Sequence, residues 1–152
     1  MSDGAERRIT AGTPEAAVAE WFERLGAHCV AGEYAAARAI VAPDVVSFGT
    51  KADVVTGLDH LQANQWEGIW PNIEGFGFDL DEVVAFGADD HAWGAAVWSS
   101  TGFDEDGEPF HRPGRATVVL ERRDGVWLAV HTHFSLYPGT PQFTYGPSGR
   151  AD

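Results

Sequence analysis

GRATVVLERRDGVWLAVHTHFS, residues 114–135, decides how the rest of the chain is read. Residues 115–122 form one β-rich run and residues 126–137 a second. Asp124-Gly125 between them is a dipeptide that accepts the positive φ angles of a tight hairpin turn. The stretch therefore predicts an antiparallel hairpin near the end of the chain. On a regular strand alternate residues share a face. That rule puts His131, His133 and Ser135 beside Trp127 and Ala129. Leu128, Val130, Thr132, Phe134 and Leu136 take the other side.

Moving upstream, the period of two persists back to Pro71. Phe76, Phe78 and Leu80 alternate ahead of residues 83–86, Asp89-Asp90 marks a turn, and residues 92–101 form a β-rich run. Residues 104–109, DEDGEP, read as a hairpin loop. Before Pro71 the signals are helical. Thr13-Pro14-Glu15 offers an N-cap, a proline at the first helical position and acid in the first turn. Val18, Trp21, Phe22, Leu25, Cys29 and Val30 then recur at helical spacing until Gly32. An Ala-rich helix over residues 33–41 follows, then a short strand at 45–49. A third helix at 61–70 opens at Gly57-Leu58-Asp59. Helices first and strands later predict an α+β fold, a curved antiparallel sheet with helices on one face.

Composition narrows the function. Ten Lys+Arg against 23 Asp+Glu leave a net charge of −13 over 152 residues. Such a chain repels phosphate backbones and anionic lipid, so neither nucleic acid nor a membrane is an expected partner. The single cysteine, Cys29, can form neither an internal disulfide nor a Cys-rich metal site. The first ten residues carry no apolar signal core, and no run approaches the ~20 residues of a membrane span. A cytoplasmic protein of one domain is expected, with residues 1–12 loosely held, the domain over 13–138, and an irregular Pro/Gly-rich tail over 139–152.

Residues 114–135 resemble the last hairpin of SnoaL-like proteins in the nuclear transport factor 2-like superfamily. RRDGVW with VHTHFS is also similar to the association domain of calcium/calmodulin-dependent protein kinase II. AGEYAAARAIVAPDVVSFGT, residues 31–50, resembles the helix–helix–strand entry of the same superfamily, and Gly57-Leu58-Asp59 the start of its third helix. The resemblance implies a cone, cystatin-like: a strongly curved antiparallel sheet wrapped around a long N-terminal helix, with two shorter helices. It also implies a pocket at the open end and a homodimer through the sheet's outer face. The fold hosts enzymes, binders and assembly modules alike.

The departures from the resemblance are informative. Gly49 stands where the ketosteroid isomerase branch has its proton-abstracting Asp, and Leu25 falls near that branch's oxyanion Tyr. The steroid isomerase mechanism therefore lacks both its base and its donor. Trp98, Val118 and Phe134 stand where the association domain's pocket carries arginines, so carboxylate capture is not carried over at those positions. The same alignment points Trp98, Val118 and Phe134 into the pocket and the two histidines away from it.

Four readings compete for the stripe His131, His133 and Ser135: hydrogen-bonded structure, acid–base chemistry, ligand orientation and a metal site. The catalytic candidates are His133 and His131, with Asp53 as a substitute base in the loop after the first strand. The ligand-binding candidates are Trp66, Trp70, Trp98, Phe134, Val118, Ser135 and Arg115. Trp66 and Trp70, four apart on a helix, stack on one side. Trp127 reads as core, and Arg115 as either an anion clamp or a structural ion pair. The expected function is binding of a small apolar organic ligand, extended to proton transfer of isomerase, cyclase or hydrolase type without a cofactor. The alternatives are a non-catalytic association module and a metal-binding domain using His131 and His133.

Overall fold

The computed structural model describes residues 8–51 and 53–150. Helix α1 spans Pro14–Ala31. The Thr13 hydroxyl caps it by accepting from the Ala16 amide, and Gly32 ends it. Its buried face is Ala17, Val18, Trp21, Phe22, Leu25, Gly26 and Cys29; of the periodic set expected from the sequence only Val30, in the last turn, is exposed instead. Helix α2, Tyr34–Arg38, is shorter than expected. Strand β1, Val41–Phe48, begins where the helix was to continue, because Val41 pairs with Ala129 across the sheet. Strand β2 is Val54–Thr56.

The third helical segment runs from α3, Leu58–Leu61, through one π turn, Gln62–Trp66, into α4, Glu67–Ile69, and a final 3-10 turn, Trp70–Asn72. The remaining strands are β3, Glu74–Phe78; β4, Val84–Ala88; β5, His91–Phe103; β6, Pro109–His111; β7, Gly114–Arg123; and β8, Val126–Leu136. Their order is β2-β1-β8-β7-β5-β3, with β4 and β6 also on β5. The sheet curls around α1 without closing, the expected α+β cone. One correction applies: the sheet is mixed, not antiparallel throughout, because β1 runs parallel to β8. That pairing joins segments some 85 residues apart, as in the Val46–His131 pair, and no local pattern announces it.

A second correction concerns the faces of β8. The partners of Val119 and Leu120 are His131 and Ala129, so Val130 is an extra residue in the ladder. A bulge of one residue reverses the parity beyond it. Trp127 and Ala129 therefore face the core together with Thr132 and Phe134. His131, His133 and Ser135 face outward, opposite Val119, Thr117 and Arg115.

The core is one cluster of α1 against the concave sheet. At its closed end Trp21 donates its indole N–H to the Ile40 carbonyl at 2.9 Å, and Trp127 donates to the Ala11 carbonyl at 3.0 Å. Ile9 is fully buried and its carbonyl accepts from the Trp127 amide. The loose N-terminal segment of the sequence reading falls partly on residues 1–7, outside the described residues. Residues 139–150 contain no helix or strand. They are nevertheless tied down, since the Tyr145 amide donates to the Phe103 carbonyl and the Thr144 hydroxyl to the Asn72 carbonyl.

Candidate functional site

At the open end of the cone a cavity lies between the last turn of α1, the third helical segment and the far half of β5. Its volume is about 50 Å³. One water needs roughly 10–15 Å³, so the space admits several waters or a compact organic group. The wall is aromatic: Trp66, Trp70, Phe76, Trp98 and Phe134, backed by Leu25, Ile69 and Ile73. The four polar groups that line it are Cys29, Thr50, Gln65 and Arg112.

The aromatic wall is ordered. Trp66 and Trp70 stack with ring centroids 5.0 Å apart, and Tyr34 stacks on Trp70 at 5.2 Å. Stacking follows from their spacing of four on a helix. Trp98 lies 5.4 Å from Phe76 and 6.4 Å from Phe134. It can lie flat over the neighbouring strand because residue 114 is glycine: a Cβ there would come within 2.2 Å of the indole.

Of the four buried side-chain polar atoms without a hydrogen-bond partner among the described residues, three line this cavity and the fourth is His28 Nε2. Arg112 is only 1 % exposed, Trp98 3 % and Gln65 7 %. The Arg112 Nε, Trp98 Nε1 and Gln65 Nε2 atoms are buried and have no hydrogen-bond partner within the described residues. Arg112 donates from Nη2 to the Thr50 hydroxyl at 3.0 Å, and its guanidinium carbon sits 5.6 Å from the Trp98 ring centroid. Burial pulls its pKa down to about 10, partly offset by the nearby Cys29, and no carboxylate among the described residues bears on it. It remains a cation at neutral pH. Burial pushes the Cys29 thiol up to about 12, with Arg112 opposing, so the thiol stays protonated and is not a nucleophile.

Four of the sequence candidates meet at this cavity: Trp66, Trp70, Trp98 and Phe134. Val118 is fully buried in the core and does not line it. His131 and His133 stand on the convex face, each ring edge-on to Phe48 at 5.4 and 5.1 Å, and the His131 Nδ1 pairs with the Val46 carbonyl at 2.7 Å. Ser135 and Arg115 share that face, Arg115 with its guanidinium over Tyr137. Asp53 is exposed in the loop before β2. Among the described residues no group of three or more His, Cys, Asp or Glu is arranged to hold a metal ion. Gly49 abuts the Gln65 carboxamide so closely that a Cβ there would lie 2.4 Å from the Gln65 Cδ. The Asp-to-Gly departure thus makes room for Gln65 at the rim.

Sequence reasoning missed Arg112, Gln65 and Cys29. Arg112 lies in HRPG, a link between two strands with no periodicity, where an arginine usually reads as solvated. The only available signal was Pro113 next to it, which keeps the link short and rigid.

A family model for the SnoaL-like domain matches residues 15–139. A solved structure from Xanthomonas campestris, assigned to the calcium/calmodulin dependent protein kinase II association domain, is 26% identical. It superposes with a TM-score of 0.68 over 81% of this chain and 87% of its own. A protein from Pseudomonas putida KT2440, described as NTF2-like and of unknown function, is 23% identical, with a TM-score of 0.68 over 84% and 89% of the two chains. A ketosteroid isomerase-like protein from Erwinia carotovora is 15% identical, with a TM-score of 0.69 over 86% of this chain and 100% of its own. The last two show the shared fold alone. No curated protein matches the chain. Among the described residues no helix is long and apolar enough to cross a membrane.

Proposed function

This chain belongs to the SnoaL-like domain family, and from that premise we propose that it binds a small, largely apolar organic molecule at the open end of its cone. The observation that carries the reading is the cavity walled by Trp66, Trp70, Phe76, Trp98 and Phe134. Large aromatic groups around a concave space are the usual lining of a small-molecule site. The placement of His131 and His133 on the convex face, and of Asp53 in an exposed loop, favours binding over proton transfer by those groups. The cavity's own lining, with a protonated thiol and a guanidinium, offers no base at neutral pH. Quenching of tryptophan fluorescence by a panel of one- and two-ring aromatic compounds tests the proposal. Saturable quenching in the wild type that is lost in Trp66→Ala supports it. No saturable quenching by any compound up to millimolar concentration rejects it.

We further infer that two copies pair through the convex face. Val46, Phe48, Val97, Trp93 and Phe86 are all exposed there. The strand register aligns Phe48, His133, Thr117 and Ala95 across four strands, with no carboxylate among them. In a protein of charge −13 a row without carboxylates limits the repulsion between two copies, and its apolar content is what an interface core needs. In this reading the histidine stripe serves assembly. Sedimentation of Val97→Glu should report monomers where the wild type reports dimers. A wild type that sediments as a monomer at tens of micromolar would end this reading.

A further inference from the structure

We propose that the guest of this cavity is an aromatic carboxylate, its acid group held by Arg112 and Trp98 and its ring against the Trp66–Trp70 stack. The inference rests on the binding reading above and names the class of ligand. It begins from two side chains that can only donate. An indole N–H and a guanidinium N–H have no acceptor capacity. Both are almost wholly buried at the cavity, and both have an unpartnered donor there. Such orphans are rare in folded proteins, and two from neighbouring side chains on one small space are rarer still. The Arg112 guanidinium carbon lies 5.6 Å from the Trp98 ring centroid, so the two donor-bearing side chains are direct neighbours. The Gln65 carboxamide adds a third donor on the same wall.

Charge points the same way. A buried cation is costly unless an anion or a full set of hydrogen bonds accompanies it. Arg123, on the surface, has Asp44 and Glu121. Among the described residues the Arg112 guanidinium has only the Thr50 hydroxyl and a ring face. The chain holds 23 carboxylates, yet none among the described residues bears on this buried guanidinium. The complement is therefore expected from outside. A carboxylate offers two planar acceptor oxygens, matched to a guanidinium edge and a neighbouring N–H. The remainder of the wall is apolar and aromatic, which selects a ring on the other end of the guest. Arg112 stands at none of the three positions where the association domain's arginines would fall, since those carry Trp98, Val118 and Phe134.

The test is calorimetry at pH 7.5 with benzoate, phenylacetate and 2-naphthoate, each beside its own primary amide. At least one acid is expected to bind about tenfold more tightly than its amide, the scale of a charge-assisted pair. Arg112→Met should bring acid and amide to within about twofold while keeping amide binding, and Trp98→Phe should weaken the acid about threefold. Trp98→Phe deletes the N–H and keeps a ring, so it serves even where Arg112→Met fails to fold. Amides that bind as tightly as acids overturn the carboxylate assignment and leave the binding reading standing. Acids that bind unchanged in both variants overturn it as well, since they must sit elsewhere. Heat from neither series rejects the assignment and the binding reading together.

Discussion

The two ends of the concave sheet face treat the same side chain in opposite ways. At the closed end Trp21 and Trp127 are buried and their indole N–H groups reach backbone carbonyls at 2.9 and 3.0 Å. At the open end Trp98 is just as buried, and its N–H reaches no acceptor among the described residues. The closed end is packed and satisfied, as a core built for stability should be. The open end combines aromatic packing with donors that have no acceptor, and a cation that has no carboxylate, among the described residues. One helix serves both ends: α1 contributes Trp21 and Phe22 to the packed core, and Leu25 and Cys29 to the cavity lining proposed as the binding site.

Substitutions should therefore diverge between the ends. The largest effect is expected for Trp127→Ala, which empties the satisfied end and should lower unfolding free energy by about 3–5 kcal/mol in urea denaturation. A loss below 1 kcal/mol would mean that the closed end is not the core described. Gly49→Ala sharpens the boundary between the ends. Its Cβ meets Gln65 at 2.4 Å. Forcing that carboxamide aside should reduce stability by about 1–3 kcal/mol and disturb guest binding together. Arg112→Leu should break the symmetry in the opposite sense. Replacing an unpaired buried charge by an apolar group is expected to leave stability unchanged or raise it by about 1 kcal/mol. A fall of more than 2 kcal/mol would make Arg112 a structural residue. The smallest effect is chemical: Cys29, with its thiol pushed up to about 12, should resist iodoacetamide at pH 8 in the native protein and react promptly in denaturant.

The hairpin at 114–135 was legible because its signals are local: two β-rich runs and an Asp-Gly turn whose residues both adopt positive φ. The helix α1 was legible for the same reason, through its cap and its period. The faces of β8 were not, since the single inserted residue Val130 reverses parity without changing composition. The pairing of β1 with β8 and the burial of Ile9 against Trp127 depend on contacts distant in sequence, which no window can contain. Half of the site was visible as aromatic spacing, Trp66 with Trp70. The polar half was not. Arg112 earns its role from what surrounds it in space, and HRPG says nothing of that.

The six tryptophans allow the contrast between the ends to be read in one experiment. Indole ¹H–¹⁵N correlations of the uniformly labelled protein, recorded while 2-naphthoate is titrated in, report every ring N–H at once. The Trp98 signal is expected to move farthest, those of Trp66 and Trp70 to shift through ring currents, and those of Trp21 and Trp127 to stay fixed. Movement confined to Trp93 on the convex face, or a Trp98 signal that never responds, would contradict that expectation.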